Sequence, residues 1–275
     1  MSAALAALAL LFFFAEVVWS GTPTNAQELE PFLPQIIPTF IPAPGAPIDF
    51  SVAKVRDSSV DTADALRDQG VDWIAVRFRP IEYSLPEDAR ANIGRLIETL
   101  HEDDFGVLLH LDSALPPLEN ANAFLTFLAD LAALKPDGIQ IESSLNDGRI
   151  TPQAYVGLMR QVFSVIKRAS VETLVISGPL DPSIAGDDCT GVLFRGVYLE
   201  ALAQAGLDRY ADCIGLSYDA SSLMAAIDVV VAFNPYAETF PSKPLCVTME
   251  SPADSESLIR VMRASGRVRL LILDP

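Results

Sequence analysis

The sequence predicts an α/β domain, a barrel of eight parallel β-strands in which a helix follows every strand except the last. Two observations predict it. Short apolar runs rich in β-formers alternate with amphipathic segments from Ile48 onward, which is typical of repeated βα units. The eight repeats occupy about 230 residues, the size of a (β/α)8 barrel. No Gly-x-Gly-x-x-Gly sequence follows the first strand, which disfavours an open nucleotide-binding sheet.

Residues 1–20 form the first predicted segment, a signal peptide or a membrane anchor helix. Ala3 to Ala15 is an unbroken apolar run, which fits a signal-peptide core better than a full membrane span of about 20 residues. Small residues at 24–26 suit cleavage after Ala26. No Lys or Arg precedes Lys54, so the basic start of a signal peptide is missing and a short uncleaved anchor stays open.

Residues 21–47 are the second segment, a proline-rich linker with seven prolines. Proline restricts the backbone, so the linker is expected to be extended and semi-rigid. It also carries Phe32, Ile36 and Phe40, which are costly to leave in water. Because no helix is predicted after the eighth strand, we expect segment 31–44 to cover the apolar seam between strands eight and one.

The barrel itself is predicted to span 48–275. Strands are expected near Ile48–Ala53, Trp73–Arg79, Gly106–Asp112, Gly138–Ser144, Thr173–Gly178, Cys213–Tyr218, Pro244–Glu250 and Arg269–Asp274. Helices are expected near Asp61–Asp68, Glu87–Glu102, Ala121–Leu134, Pro152–Ala169, Leu193–Ala205, Leu223–Ala232 and Asp254–Ala264. Thr151-Pro152 and a Ser84-x-x-Glu87 capping box indicate two helix starts. Gly70 and Gly206 are placed to end helices in the left-handed region.

Composition excludes several function classes. The formal net charge is −17 and half of the residues are hydrophobic, so a core is available but a basic surface for nucleic acid or anionic lipid is not. The sequence has three cysteines and two histidines, without a Cys-x-x-Cys pair. We therefore predict neither a metal nor another cofactor.

The candidate site is a ring of polar residues at the C-terminal ends of the predicted strands, where barrel enzymes carry their chemistry. We predict Glu250 and Glu142 as candidate catalytic carboxylates. The candidate ligand-binding residues are Arg77, His110, Asp112, Ser143, Asn146, Tyr218 and Asp219. Carboxylates, an arginine and a tyrosine suit sugar chemistry better than phosphate chemistry. Glycoside hydrolysis needs two carboxylates facing one bond, about 5–5.5 Å apart for retention.

From strand four onward the sequence resembles the clan A glycoside hydrolases, especially secreted bacterial barrels. The resemblance covers most of 48–275. It is most specific in Gly138-Ile-Gln-Ile-Glu-Ser-Ser-Leu-Asn146, Leu174-Val-Ile-Ser-Gly178, Tyr210-Ala-Asp-Cys-Ile-Gly-Leu-Ser-Tyr218 and Lys243-Pro-Leu-Cys-Val-Thr-Met-Glu250. It implies a TIM barrel that binds a glycan, with Arg77 and Tyr218 at family positions.

Both catalytic positions implied by this resemblance hold other residues. The acid/base position, aligned on Asn146, holds Ser144, and the nucleophile position holds Met249. Glu142 is two residues deeper, about 6.6 Å along the strand. Glu250 follows Met249, so regular alternation is expected to turn it away from the barrel axis unless a bulge intervenes.

Several of these residues also have a purely structural interpretation. A buried Arg77–Glu142 ion pair and a hydrogen-bonded His110–Asp112 core pair are the main alternatives to ligand contacts. Tyr218 and Asp219 line a sugar cleft or cap the next loop. Buried free thiols are favoured for the cysteines, with a Cys189–Cys213 disulfide as the alternative.

Together these observations predict an extracytoplasmic domain, secreted or membrane-anchored through its N-terminal helix. Its expected role is non-catalytic: it binds a glycan or a protein partner, as a scaffold or accessory subunit of a membrane or cell-surface assembly. The alternative is an active retaining glycoside hydrolase that acts on extracellular polysaccharide and uses Glu250.

Overall fold

The computed structural model describes residues 49–55, 63–78, 83–112, 121–142, 150–180, 195–219, 226–250 and 255–274. The two predicted N-terminal segments, 1–20 and 21–47, lie outside these residues. Among the described helices, none is long and apolar enough to cross a membrane. Each internal gap lies between a strand and the helix that follows it.

Eight parallel strands form a single barrel, as predicted. They are β1 Ser51–Val55, β2 Trp73–Phe78, β3 Gly106–Asp112, β4 Gly138–Glu142, β5 Leu174–Ile176, β6 Ile214–Asp219, β7 Leu245–Glu250 and β8 Val268–Asp274. Their order in the sheet is β5-β4-β3-β2-β1-β8-β7-β6. Isolated parallel bridges, Ile176 with Cys213 and Leu180 with Leu216, continue the pairing from β5 to β6. This pairing closes the barrel.

The junction of β5 and β6 depends on a close approach at Gly215. A Cβ at this position would lie 2.2 Å from the Ser177 carbonyl oxygen, so only glycine fits. Its backbone N–H donates to Ser177 Oγ at 2.9 Å, and the Ser177 N–H donates to the Cys213 carbonyl at 3.1 Å. The Ser177 side chain thus replaces part of the backbone hydrogen-bond ladder between β6 and β5, which is the shortest of the eight strands.

One helix follows each of the first seven strands in the described residues. The helices are α1 Ala63–Asp68, α2 Glu87–Glu102, α3 Ala121–Ala132, α4 Pro152–Ala169, α5 Arg195–Ala205, α6 Ala226–Thr239 and α7 Ser255–Ser265. Most bounds agree with the predicted ones to within three residues. The Thr151 side chain caps α4 by accepting from the Ala154 N–H at 3.3 Å, and Gly70 and Gly206 have positive φ, both as predicted.

Two expectations about the helices are wrong. Helix α2 begins after Pro86 without a side-chain cap, because Ser84 stands two residues too early to form the capping box. Helix α6 continues past Pro235 to Thr239, seven residues beyond the predicted end. The buried rings of Phe233 and Tyr236 stabilise it by about 1.5–3 kcal/mol each, which offsets the roughly 3 kcal/mol cost of an internal proline.

Side chains alternate between two apolar layers along each strand. The larger layer packs between the sheet and the helices. The smaller layer fills the barrel interior and consists of Ala53, Val55, Ala75, Leu108, Ile176, Cys213, Cys246, Leu270 and Ile272, with Trp73 packed against them. A Cβ at Gly106 would lie 2.6 Å from the Trp73 ring, so glycine there makes room for this ring at the N-terminal end.

The N-terminal end of the barrel carries a repeated carboxylate contact. Strands β2, β4 and β6 each begin within the same motif, Asp-x-Ile, whose aspartates are Asp72, Asp137 and Asp212. Each aspartate accepts a hydrogen bond from the N–H of a valine on the preceding strand: Val52 at 3.2 Å, Val107 at 2.7 Å and Val175 at 2.9 Å. Each also donates its own N–H to the carbonyl of that valine. The motif therefore locks strands in pairs, with the same geometry three times.

Candidate functional site

The candidate site is the C-terminal mouth of the barrel, where the inner faces of the strands become polar. Arg77 pairs in register with His110, and Glu250 with Asp274. Ser217 pairs with Thr248, and Thr248 pairs in turn with Ile272 of the interior layer. Because residues in register share a face of the sheet, these side chains continue the interior layer toward the mouth.

Arg77 forms an ion pair with Asp274, which reaches across the end of β1. The Arg77 side chain is 47% exposed, whereas Asp274 is 8% exposed. The pair that the structure shows joins Arg77 to β8, and about half of the Arg77 side chain is exposed. The predicted pair between Arg77 and Glu142 involves a side chain outside the described part of the structure and stays a prediction. Register explains the choice, since β2 and β8 are both neighbours of β1.

Glu250 lies on the inner face of β7, which corrects the predicted orientation. Met249 is fully buried in the layer under the helices, while Cys246 belongs to the interior layer. Alternation from Cys246 through Thr248 places Glu250 on the interior side without a bulge in this part of the strand. The carboxylate is exposed, and Ser217 Oγ donates to its Oε1 at 3.3 Å.

Below the mouth lies a polar floor made of His110, Gln140 and Thr248. Their side chains are 1%, 0% and 3% exposed, so a ligand in the mouth does not reach them. The Gln140 amide and the Thr248 hydroxyl have no hydrogen-bond partner among the described residues. Burying such groups is costly without a partner, and buried water commonly supplies one.

Tyr218 faces the helices, not the mouth. Its ring makes an edge contact with Phe233 of α6, with the centroids 6.0 Å apart. Ser217 takes the inner face, and the next residue on a strand points outward. This position disfavours the first of the two predicted roles of Tyr218, lining a cleft.

The other predicted residues are located only in part. The backbone of Asp112 pairs with Glu142 at the ends of β3 and β4, and Asp219 pairs with Glu250. Ser143, Ser144 and Asn146 lie outside the described residues. Within the described part of the chain, no group of three His, Cys, Asp or Glu side chains is placed to hold a metal ion.

The cysteine prediction is corrected by a disulfide between Cys213 and Cys246, whose Cα atoms are 5.8 Å apart. Both residues lie on inner faces of neighbouring strands and are fully buried. Neither free thiols at these positions nor a Cys189–Cys213 pair agrees with this arrangement. The adjacency of the strands was predicted, but the shared inner face follows only from the register.

Sequence reasoning missed the pairing role of Asp274 and the buried amide of Gln140. Asp274 is the last described residue of β8, and its partner lies 197 positions earlier, so no local pattern joins them. Gln140 was detectable: it alternates with Gly138 and Glu142 on β4, which predicts the inner face.

Comparison with solved structures identifies proteins with a similar fold. A glucosidase from Croceicoccus marinus matches with a TM-score of 0.60 and 12% identity, over 84% of this chain and 61% of its own. Cel5A from Thermotoga maritima matches with a TM-score of 0.57 and 14% identity, over 82% and 90%. The exo-β-1,4-mannosidase Op5Man5 from Opitutaceae bacterium strain TAV5 matches with a TM-score of 0.54 and 12% identity, over 84% and 52%.

The fold is a glycosidase-like TIM barrel. At such low identity the likeness concerns the fold alone, because one barrel architecture hosts many chemistries. This chain spans about three-fifths of the length of the Croceicoccus glucosidase. No protein-family model matches the sequence, and no curated protein matches it.

Proposed function

We propose that this barrel is an exported glycan-binding domain that does not hydrolyse its ligand. One observation carries the proposal: the inner face of the mouth presents a half-exposed arginine, Arg77, and an exposed carboxylate, Glu250, each held by a neighbouring side chain. Groups that are already oriented bind a ligand with little further loss of conformational entropy.

A sugar suits this mouth because its hydroxyl groups both donate and accept hydrogen bonds. Glu250 accepts, Arg77 donates through a planar fork, and Ser217 does either. Charged partners make these the stronger kind of hydrogen bond. The similarity in fold to a glucosidase, a mannosidase and Cel5A supports a sugar as the ligand, by analogy.

Hydrolysis is not part of the proposal, because it needs two carboxylates with different protonation states facing one bond. Asp274 is nearly buried and neutralised by Arg77. Among the described mouth side chains this leaves Glu250 as the exposed carboxylate. The positions that the family resemblance assigns to the catalytic pair hold Ser144 and Met249.

The second candidate is a retaining hydrolase with Glu250 as nucleophile. The inner-face position of Glu250 favours it over the sequence-based expectation, since no bulge is required. It still needs a general acid opposite Glu250 at about 5–5.5 Å.

Export is supported by the interior disulfide, because such bonds persist in oxidising compartments and are rare in reducing ones. A scaffold or accessory role in a membrane or cell-surface assembly, held by segment 1–20, remains part of the proposal. Intact mass and thiol alkylation of the protein taken from its native host test both points. An intact mass that corresponds to a chain starting at Gln27 indicates secretion, whereas the mass of the full-length chain indicates an anchor. Alkylation of Cys213 and Cys246 without prior reduction would show free thiols and contradict export.

The binding proposal is tested by titrating the full chain with soluble polysaccharides and by assaying aryl-glycosides. We expect binding without turnover, and a loss of affinity of at least about tenfold, or roughly 1.4 kcal/mol, in Glu250→Gln. Glu172→Gln is the matched control, because Glu172 is an exposed acid just before β5, at the N-terminal end of the barrel. Turnover that vanishes in Glu250→Gln establishes the hydrolase instead. Absence of binding to every glycan rejects both and leaves a protein partner.

A further inference from the structure

The proposed function of the mouth does not involve the seam between β8 and β1. Its outward side chains are Val52 on β1 and Leu271 and Leu273 on β8, and they are 0%, 0% and 8% exposed. At the seams between consecutive strands from β1 to β8, a described helix lies between the two strands in the chain. At this seam the described residues provide only the flanking helices α1 and α7.

Helix α7 presents an open groove on its far side. Its inward face is Leu258 and Met262, whereas Glu256, Ile259, Arg260, Arg263 and Ala264 line the groove. Positions 256, 260 and 264 follow helical spacing, so the groove runs along the helix axis. Ile259 is partly buried against the core, which gives the groove an apolar edge.

The chain enters β1 beside this groove. Phe50, the residue before the strand, lies under the Arg263 guanidinium at 5.2 Å from the ring centroid and packs against the core. Phe50 therefore lies beside the last turn of α7. Residues 39–47, which end three positions before Phe50, include Phe40, Ile41 and three prolines.

We infer that residues 39–47 dock over the β8–β1 seam and the groove of α7, with Phe40 and Ile41 as anchors. Nine extended residues span about 30 Å, which exceeds the length of β8. The prolines favour an extended backbone and have no N–H group that would need an acceptor. Cleavage after Ala26 leaves the segment on the barrel, so secreted and anchored forms both retain it. The expected covering segment thus shifts from residues 31–44 to residues 39–47, closer to Phe50.

A photo-cross-linking experiment on the full chain tests the contact directly. Benzoylphenylalanine at position 40 is expected to cross-link within one chain, to a peptide of α7, β8 or β1. The same probe at position 32 is the matched control and is expected not to mark these elements. Cross-links from position 40 to any other element, or between two chains, overturn the inference.

Hydrogen exchange provides a second measurement that does not depend on the probe. In Phe40→Ser/Ile41→Ser, we expect amides of β1 and β8 to exchange at least about tenfold faster, because removing the cover lowers the local opening free energy. Phe32→Ser/Leu33→Ser is the control and should leave these rates unchanged. Unchanged rates in the first variant, or equal acceleration in the control, reject the docking.

Discussion

The two ends of the barrel use charged residues in different ways. At the N-terminal end, Asp212 bonds to the Val175 N–H and to Lys167, whose side chain is 7% exposed. At the mouth, Arg77 is half exposed although its partner is nearly buried, and Glu250 is exposed. The charged groups at the N-terminal end form their hydrogen bonds within the protein, whereas those at the mouth retain hydrogen-bonding capacity for a ligand.

This difference matches the division of labour in barrels, where one end stabilises the fold and the other carries function. Lys167 illustrates the stabilising side: its Nζ donates to the carbonyls of Thr173 at 2.8 Å and Val171 at 3.1 Å, and lies 2.7 Å from Asp212. His101 pairs with Asp137 at 2.7 Å in the corresponding place two βα repeats earlier. The last turns of α2 and α4 thus supply the partners of two repeated aspartates.

The largest expected effect comes from breaking the buried pair at the N-terminal end. Lys167→Met leaves Asp212 without its cation and two carbonyls without a donor. We expect a loss of about 3–5 kcal/mol in the free energy of unfolding. Urea unfolding measures it. Arg160→Met, an exposed position on the same helix, should change stability by less than about 0.5 kcal/mol; similar losses in both variants would show that the contact is not special.

A smaller loss is expected from crowding the Trp73 ring. Gly106→Ala places a methyl group 2.6 Å from the ring, and overpacking of this kind costs about 1–3 kcal/mol. Gly157→Ala on α4 is the matched control, since its Cβ meets no atom within 4 Å and alanine favours a helix by about 1 kcal/mol. The two changes should shift the melting temperature in opposite directions. A stabilised Gly106→Ala protein contradicts this packing.

Lys243 makes the stability of the N-terminal end pH-dependent. Burial lowers the pKa of its ammonium group, although the neighbouring Asp212 and Asp208 oppose that shift. Between this lowered pKa and the ordinary lysine value, the unfolded chain binds more protons than the folded one. Stability therefore rises with pH across that alkaline window, by at most about 1.4 kcal/mol per pH unit.

The contribution of Lys243 is measured by comparing urea unfolding of the wild type and Lys243→Met across that window. In Lys243→Met, the part of the rise in stability with pH that comes from Lys243 should be absent. Lys135→Met, at an exposed position, should keep it. A slope that is identical in all three proteins would mean that Lys243 titrates as an ordinary lysine.

The smallest effect on stability is expected at the mouth. Arg77→Gln/Asp274→Asn replaces the ion pair by two amides and should cost less than about 1 kcal/mol, because Arg77 is half exposed and water screens the pair. Glycan affinity should nevertheless fall by at least about tenfold. A large loss of stability with unchanged affinity would assign the pair to the scaffold and remove the contrast between the two ends.

Much of the fold was predictable from local patterns. Helices α2 and α4 and strand β3 have the predicted bounds, because apolar periodicity and the Thr151-Pro152 start are local signals. The end of α6 was not predictable, since Phe233 and Tyr236 sustain the helix through tertiary burial. The repeated Asp-x-Ile motif was visible in the sequence, but its meaning depends on the valine one strand away.

The candidate site divides in the same manner. Arg77, Glu250 and their positions at strand ends follow from sequence alone, as does the resemblance to glycosidase barrels. The inner-face position of Glu250 required the interior layer to be known, because alignment on Met249 started the alternation on the wrong residue. The position of Asp274 at a strand end also follows from the sequence, but its pairing with Arg77 became visible only through the pairing of β1 with β2 and β8.

The amino-acid sequence by itself determined the number and order of the strands and helices, the acidic charge and the polar strand ends, because these depend on neighbours within a few residues. Tertiary structure decided which face each strand turns inward, that Cys213 meets Cys246, and that Arg77 meets Asp274. The physical reason is barrel closure: it sets the register between strands distant in sequence, and a shift of one residue exchanges the inner face for the outer.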